Sequence, residues 1–157
     1  MFLTRRCQRR WYNRRAVGTF FHPITLTGPT GESETLEALV DTGADFSTMP
    51  SSLLQRLGVT PHRSVRMRLA DGRVTEWELG RIKARIDGIE EETICVFGPE
   101  EAPPSIGAYT LEGMLLGVDP AKRRLVPREG FLLTTAADAS FGLVADFELT
   151  GDQLEES

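Results

Sequence analysis

The sequence predicts an all-β fold built as a single lobe. Three observations carry that expectation. Residues 17–126 consist of short runs of β-forming residues, the runs are separated by Gly, Pro and Asp-Gly turn signals, and helical periodicity is confined to two brief stretches. With 157 residues, 40% of them hydrophobic, the chain suits one globular domain with a real core, and neither two domains nor a disordered polymer.

The elements follow in order. Residues 17–27 are rich in β-formers and end at Gly28-Pro29-Thr30-Gly31, a turn signal that returns the chain as a second strand over 33–40. Asp41-Thr42-Gly43-Ala44-Asp45 comes next, then a short extended segment over 46–49. Pro50 before it and Gly58 after it mark residues 51–57 as a short helix. Runs 65–69 and 74–79 alternate apolar and polar side chains on either side of Asp71-Gly72, a strong hairpin signal. A further hairpin is read from 81–86 and 93–97 around Asp87-Gly88, with Glu90, Glu91 and Glu92 facing solvent. A Pro-containing loop then leads to Ile106-Gly107, a short helix over 108–114, an apolar run over 115–118 closed by Asp119-Pro120, and a last strand at Leu125-Val126. Residues 131–149 are moderately apolar and receive no assignment.

Charge divides the chain into three parts. Eighteen Lys and Arg against 23 Asp and Glu leave a net charge of −5, which argues against a surface built to neutralise a phosphate backbone. Residues 1–15 nevertheless hold six Arg and no acid, whereas residues 131–157 hold six acids and no Lys or Arg. The expected organisation is a basic arm over 1–16, a globular domain over 17–128 and an acidic extension over 129–157. The arm carries Trp11 and Tyr12, which leaves open RNA, an acidic membrane surface or the chain's own acidic end as its partner. Nucleic acid is not the expected principal partner. Two cysteines, Cys7 and Cys95, make no disulfide framework, and neither a secretory-signal pattern nor an apolar run of about 18 residues is present. The expectation is a cytoplasmic protein without a transmembrane segment.

The chemistry concentrates at Asp41. It ends the apolar run Leu39-Val40 and precedes a Gly able to turn sharply. A carboxylate there must be paired, hydrogen-bonded or protonated. Two carboxyls about 3 Å apart share one proton, so that one acts as base toward water while the other acts as acid toward a leaving amine. Plainer readings stand beside this one. Asp41 serves as a structural turn acid, or shares a cation with Asp45, although no third ligand follows at calcium-loop spacing and neither His22 nor His62 lies in a zinc pattern. No metal or organic cofactor is expected. Trp77 and Phe97 read as core or hairpin-base residues, and Asp71-Gly72 reads either as a tight turn or as the tip of a cover over substrate.

The segment Ala38-Leu39-Val40-Asp41-Thr42-Gly43-Ala44-Asp45 resembles the active-site loop of retropepsin-like aspartic proteases, the retroviral enzymes and their bacterial single-lobe relatives. Ser105-Ile106-Gly107 before the helix at Ala108 resembles the family's apolar-Gly mark, and Leu115-Leu116-Gly117-Val118-Asp119-Pro120 with Arg123-Arg124-Leu125-Val126 resembles the closing strands of bacterial members. The resemblance implies a closed single-lobe β-barrel active as a C2 homodimer, an aspartic endopeptidase in which Asp41 of each protomer supplies half of a catalytic dyad. It implies that Thr42, Gly43 and Ala44 form the active-site loop, and that Asp45, Leu69, Ala70, Asp71, Gly72, Ile106 and Gly107 contact a peptide bound as an added strand. The rival reading is a catalytically weak peptide-binding or dimerisation module of the same fold. Two positions depart from the retroviral pattern. Ser105 stands where an apolar residue is usual, and Ala108 stands where an Arg pairs with the acid at the Asp45 position. Ala44 removes a hydroxyl that Ser would offer the carboxylate, which predicts a mildly acidic to near-neutral optimum of activity.

Overall fold

Gly28 N–H donates to the Glu32 carbonyl (2.9 Å) and Gly31 N–H to the Gly28 carbonyl (3.0 Å). This turn folds β1 (Phe21–Thr27) onto β2 (Ser33–Val40), in antiparallel register from Phe21 opposite Leu39 to Thr27 opposite Ser33. The computed structural model describes residues 19–133. The basic arm with Cys7, residues 17–18 of the first predicted strand, and residues 134–157 lie outside the described residues. After β2 come β3 (Ser47–Pro50), α1 (Ser51–Arg56), β4 (Pro61–Arg68), β5 (Val74–Ile86), β6 (Ile89–Gly98), β7 (Ser105–Ile106), α2 (Ala108–Gly113), β8 (Leu116–Asp119) and β9 (Arg124–Pro127).

Seven strands form one sheet in the order β1-β2-β7-β3-β6-β5-β4, and β8 pairs with β9 apart from it. A second pairing, β1 with β5 through Thr25 opposite Arg85 and Thr27 opposite Lys83, closes the sheet on itself. The ring therefore runs β1, β2, β7, β3, β6, β5 and back, with β4 outside it. Closure pairs the ring strands on both sides and leaves the free edge to β4. The all-β expectation holds, with two short helices as accessories.

Alternation along the strands fills the barrel. In the second half of β5, Ile82, Ala84 and Ile86 point inward while Arg81, Lys83 and Arg85 face solvent. They meet Ile24 and Leu26 of β1, Met49 of β3, Leu54 of α1, Cys95 of β6 and Ile106 of β7, all fully buried or nearly so. Burial in this apolar interior pushes the Cys95 thiol up to about 12, leaving it an unreactive core residue. Glu90, Glu91 and Glu92 are exposed as expected, yet they lie within β6, opposite Arg85, Ala84 and Lys83.

One boundary differs from the sequence reading. Residues 74–79 and 81–86 are a single strand of 13 residues and not two. The expected break, Gly80, is buried, and a Cβ there would lie 2.6 Å from Val59 Cγ1 and 2.8 Å from Phe97 Cε2. Its glycine serves close packing between α1's exit and β6, while the backbone stays extended.

A chain of buried hydroxyls ties the core to the loops above it. Ser47 Oγ and Thr110 Oγ1 are 2.6 Å apart, Thr110 Oγ1 and Thr93 Oγ1 are 2.7 Å apart, and Gly107 N–H donates to Ser47 Oγ at 3.0 Å. The three side chains come from β3, α2 and β6 and are all buried. Deleting the middle hydroxyl takes away Thr93's partner and leaves Ser47 with Gly107 N–H alone, and an unsatisfied buried polar group costs about 1–3 kcal/mol. Thr110→Val is therefore expected to lower the urea-unfolding free energy by that amount; a change below about 0.5 kcal/mol would mean that the hydroxyl chain does not stabilise the fold.

Candidate active site

The Asp41 loop is held from behind by backbone. Val40 N–H donates to the Phe20 carbonyl and Leu39 N–H to the Pro104 carbonyl, both at 2.8 Å, and Asp41 N–H donates to the Ile106 carbonyl at 3.0 Å. The carboxylate is thus delivered at the end of a strand paired on both sides. Gly43 N–H donates to Asp41 Oδ1 at 3.0 Å, and Ala44 N–H donates to the Asp41 carbonyl at 3.3 Å. Asp41 is half-buried, with Thr42, Gly43 and Asp45 exposed beside it.

Helix α2 completes the support. A helix begins with N–H groups that have no intrahelical acceptor. Here Ala108 N–H donates to the Ala44 carbonyl (2.8 Å) and Tyr109 N–H to the Asp45 carbonyl (3.0 Å), so loop and helix satisfy each other. Gly107 makes the approach feasible: a Cβ there would lie 2.4 Å from the backbone carbon of Phe46 and 2.9 Å from Ser47 N. No other residue fits without displacing the loop.

In front of the loop lies a groove of about 870 Å3. Asp41, Gly43, Ala44, Asp45, Phe46 and Thr48 line one side. The β4–β5 hairpin contributes Met67, Arg68, Leu69, Ala70, Arg73, Thr75 and Trp77, and Val96, Pro99 and Ala102 complete the lining. Of the residues proposed from sequence, Asp41, Gly43, Ala44, Asp45, Leu69 and Ala70 meet in this one groove. Thr42, Asp71 and Gly72 are exposed outside its lining. Ile106 and Gly107, expected as substrate contacts, are buried and outside the groove's lining, and the Ile106 carbonyl supports the loop from behind.

The sequence reading passed over most of the groove wall. Val65 lies opposite Trp77 and Met67 opposite Thr75, so strand parity alone would have put Met67, Thr75 and Trp77 on the inner face with Leu69. Trp77 sits at the hairpin base and is half-buried, its indole N–H donating to Thr75 Oγ1 at 2.6 Å. Phe97 belongs to the core. Pro99 and Ala102 come from an irregular loop and carried no signal. Among the described residues no three His, Cys, Asp or Glu side chains are grouped to hold a metal ion.

Two carboxylates fix the parts around the groove. Asp71 at the hairpin tip accepts from Arg73 N–H (3.0 Å) and Arg73 Nε–H (2.7 Å), which hold its carboxyl below the usual range, the backbone donor foremost. Glu100, in the loop that carries Pro99 and Ala102, accepts from Ser52 N–H (2.8 Å) and Ser52 Oγ–H (2.7 Å) on α1, and those bonds in the same order lower its carboxyl from the ordinary 4.5. A carboxyl lowered by folding stabilises the fold fully above its unfolded value and loses that contribution as pH falls through the folded value. Wild type is therefore expected to exceed Glu100→Gln in urea-unfolding midpoint at pH 7, with the gap narrowing as pH falls below the ordinary 4.5. A gap that stayed constant across that range would show that the charge on Glu100 is irrelevant.

The family model described as aspartyl protease matches residues 23–119. No curated protein sequence matches the chain. Among solved structures, the chain is similar to the simian foamy virus (mac) protease at 14% identity and a TM-score of 0.45, over 59% of this chain and 92% of that one. It is similar to the EIAV protease solved with the inhibitor HBY-793 at 20% identity and a TM-score of 0.41, over 66% and 92% of the two chains. A retropepsin-like aspartic protease from Rickettsia conorii gives 16% identity and a TM-score of 0.37, over 62% and 84%. The matched family region runs from β1 through the Asp41 loop and the hairpin to the end of β8 and spans well over half of the sequence; the chain belongs to the aspartyl protease family.

Proposed function

We propose that the protein is an aspartic endopeptidase that works as a C2 homodimer. The observation that carries this reading is the half-buried Asp41 carboxylate, fixed by the Gly43 N–H at 3.0 Å in the lining of a groove of about 870 Å3. Asp41 from each protomer would meet its twin at the two-fold axis, the pair sharing one proton. The ionised member takes a proton from water as the water attacks the scissile carbonyl, and the protonated member gives its proton to the carbonyl oxygen. The resulting tetrahedral diol collapses with proton transfer to the leaving amine, so no covalent enzyme intermediate, metal or cofactor is needed. Thr42, Gly43 and Ala44 keep the loop in shape, Asp45 lines the groove beside them, and the hairpin carrying Leu69, Ala70, Asp71 and Gly72 covers the substrate. The catalytic unit is residues 17–128, with 1–16 and 129–157 as extensions, and a cytoplasmic setting accords with the free buried thiol of Cys95.

A second reading has one observation of its own. Asp45 forms no ion pair among the described residues, and the Arg that would hold it in retroviral relatives is replaced by Ala108. That favours a weakly dimerising module that binds peptide without cutting it.

Titration separates the two. Asp41→Ala is expected to lower kcat/KM on a denatured protein by about a thousandfold at pH 4–7. Adding excess Asp41→Ala chain to a fixed amount of wild type is expected to abolish activity, because each mixed dimer holds only one carboxylate. Wild-type activity untouched by the excess would sink the shared dyad, and equal behaviour of the two pure proteins would favour the binding module.

A further inference from the structure

Resting on the protease reading, we propose that Arg68 makes this groove select peptides with a carboxylate side chain close to the bond that is cut. The groove is electrically divided. Asp41 and Asp45 lie on its loop side, while Arg68 and Arg73 lie on its hairpin side. The two arginines differ in how far their charge is already answered. Arg73 is neutralised within the tip, its Nε–H on Asp71 Oδ2 at 2.7 Å and its backbone N–H on Asp71 Oδ1 at 3.0 Å. Arg68 donates Nη1–H to the Gly72 carbonyl at 3.1 Å, a neutral acceptor, and no carboxylate among the described residues pairs with it.

Register explains the difference. Arg66, two residues earlier on β4 and on the same face of the strand, lies opposite Glu76, whereas Arg68, the strand's last residue, lies opposite the uncharged Val74. Its guanidinium therefore faces no carboxylate and keeps most of its five N–H donors uncommitted, on a residue that borders a groove whose other lining is largely apolar, Met67, Leu69, Trp77 and Val96 included. An incoming carboxylate is repelled by Asp41 and Asp45 and attracted to Arg68, so the field also orients the peptide. The tip is built before substrate arrives. Leu69 N–H donates to the Arg73 carbonyl (2.8 Å), Gly72 N–H donates to the Leu69 carbonyl (2.9 Å), and the Gly72 contact holds the Arg68 fork in place. A planar fork so held suits bidentate recognition of a carboxylate better than a lysine would.

The experiment profiles full-length wild type on a peptide library and then compares peptide pairs that differ only by Glu or Gln. The library is expected to show Asp and Glu enriched over Asn and Gln at one position within about three residues of the cut, the span of strand the groove can pair. The Glu/Gln ratio of kcat/KM is expected to be about tenfold or more in wild type. It falls to near unity in Arg68→Gln, survives in part in Arg68→Lys, and turns in favour of Lys over Gln in Arg68→Glu. Added salt shrinks the wild-type ratio. Cleavage without acidic enrichment, or a Glu/Gln ratio unchanged in Arg68→Gln, overturns the role of Arg68 and leaves proteolysis standing. Absence of cleavage that depends on Asp41 overturns the protease reading instead. In that case labelled peptides with Glu at successive positions, and their Gln counterparts, are bound to the full-length Asp41→Asn chain. Tighter binding of one Glu peptide, lost in the Arg68→Gln background, supports the proposal, and equal affinities throughout overturn it.

Discussion

The site depends on a backbone stitch between the Asp41 loop and the segment behind it. Asp41 N–H reaches the Ile106 carbonyl, and the Ala44 and Asp45 carbonyls take the first N–H groups of α2. None of these bonds involves a side chain, so the loop's geometry is insensitive to most substitutions within it. The exception is Gly107, where the two segments cross with no room for a Cβ. The dependence also runs the other way. A six-residue helix is too short to persist alone, and α2 exists because the loop carbonyls cap it and because Thr110 and Leu111 are buried beneath it. Catalytic loop and helix therefore fold as one unit.

The roof of the groove inherits its position from the barrel. Strand β5 runs unbroken from the hairpin into the wall, its first half paired with β4 and its second with β6 and β1. Gly80, at the change of role, is clamped between Val59 and Phe97. The hairpin is thus an extension of a core strand and not a loop laid across the site. Its end is stiffened by the Asp71–Arg73 pair. On the far side, Glu100 ties the Pro99 and Ala102 loop to α1. The groove is framed by contacts that radiate from the same sheet.

What the sequence made legible was what depends on local chemistry. Turn residues announced both hairpins and the β1–β2 return, Pro50 and Gly58 bracketed α1, and Asp41-Thr42-Gly43 with Ile106-Gly107 announced the loop and the residues behind it. The features that stayed hidden depend on what lies across space. Gly80 reads as a strand break because its reason for being glycine is the side chains of Val59 and Phe97, far away in sequence. Ser47, Thr93 and Thr110 are unremarkable singly, and only closure of the barrel joins them. Glu100 resembles any solvated acid until the loop brings it to Ser52. Ile106 and Gly107 were found by pattern, yet their side of the loop could not be: a motif fixes adjacency in the chain, and burial is decided by the fold.

The proposed dimer follows from a shortage of acid. Hydrolysis by carboxyls needs one group to take a proton while another gives one, and among the described residues the acids lining the groove are Asp41 and Asp45. Asp45 is exposed, its backbone carbonyl is engaged by Tyr109 N–H, and no hydrogen bond joins its carboxyl to Asp41 among the described residues. Around Asp41 the single chain leaves Thr42, Gly43 and Asp45 exposed, together with Tyr109, which packs at 5.8 Å against Phe46 and is still 47% uncovered. An isologous contact centred on Asp41 would supply the missing carboxyl and cover that collar in one step. The same contact would take Asp41 further from water, where a lone charge is costly and a shared proton is the cheapest remedy. On this reading, the association that completes the dyad is also what makes its members share a proton.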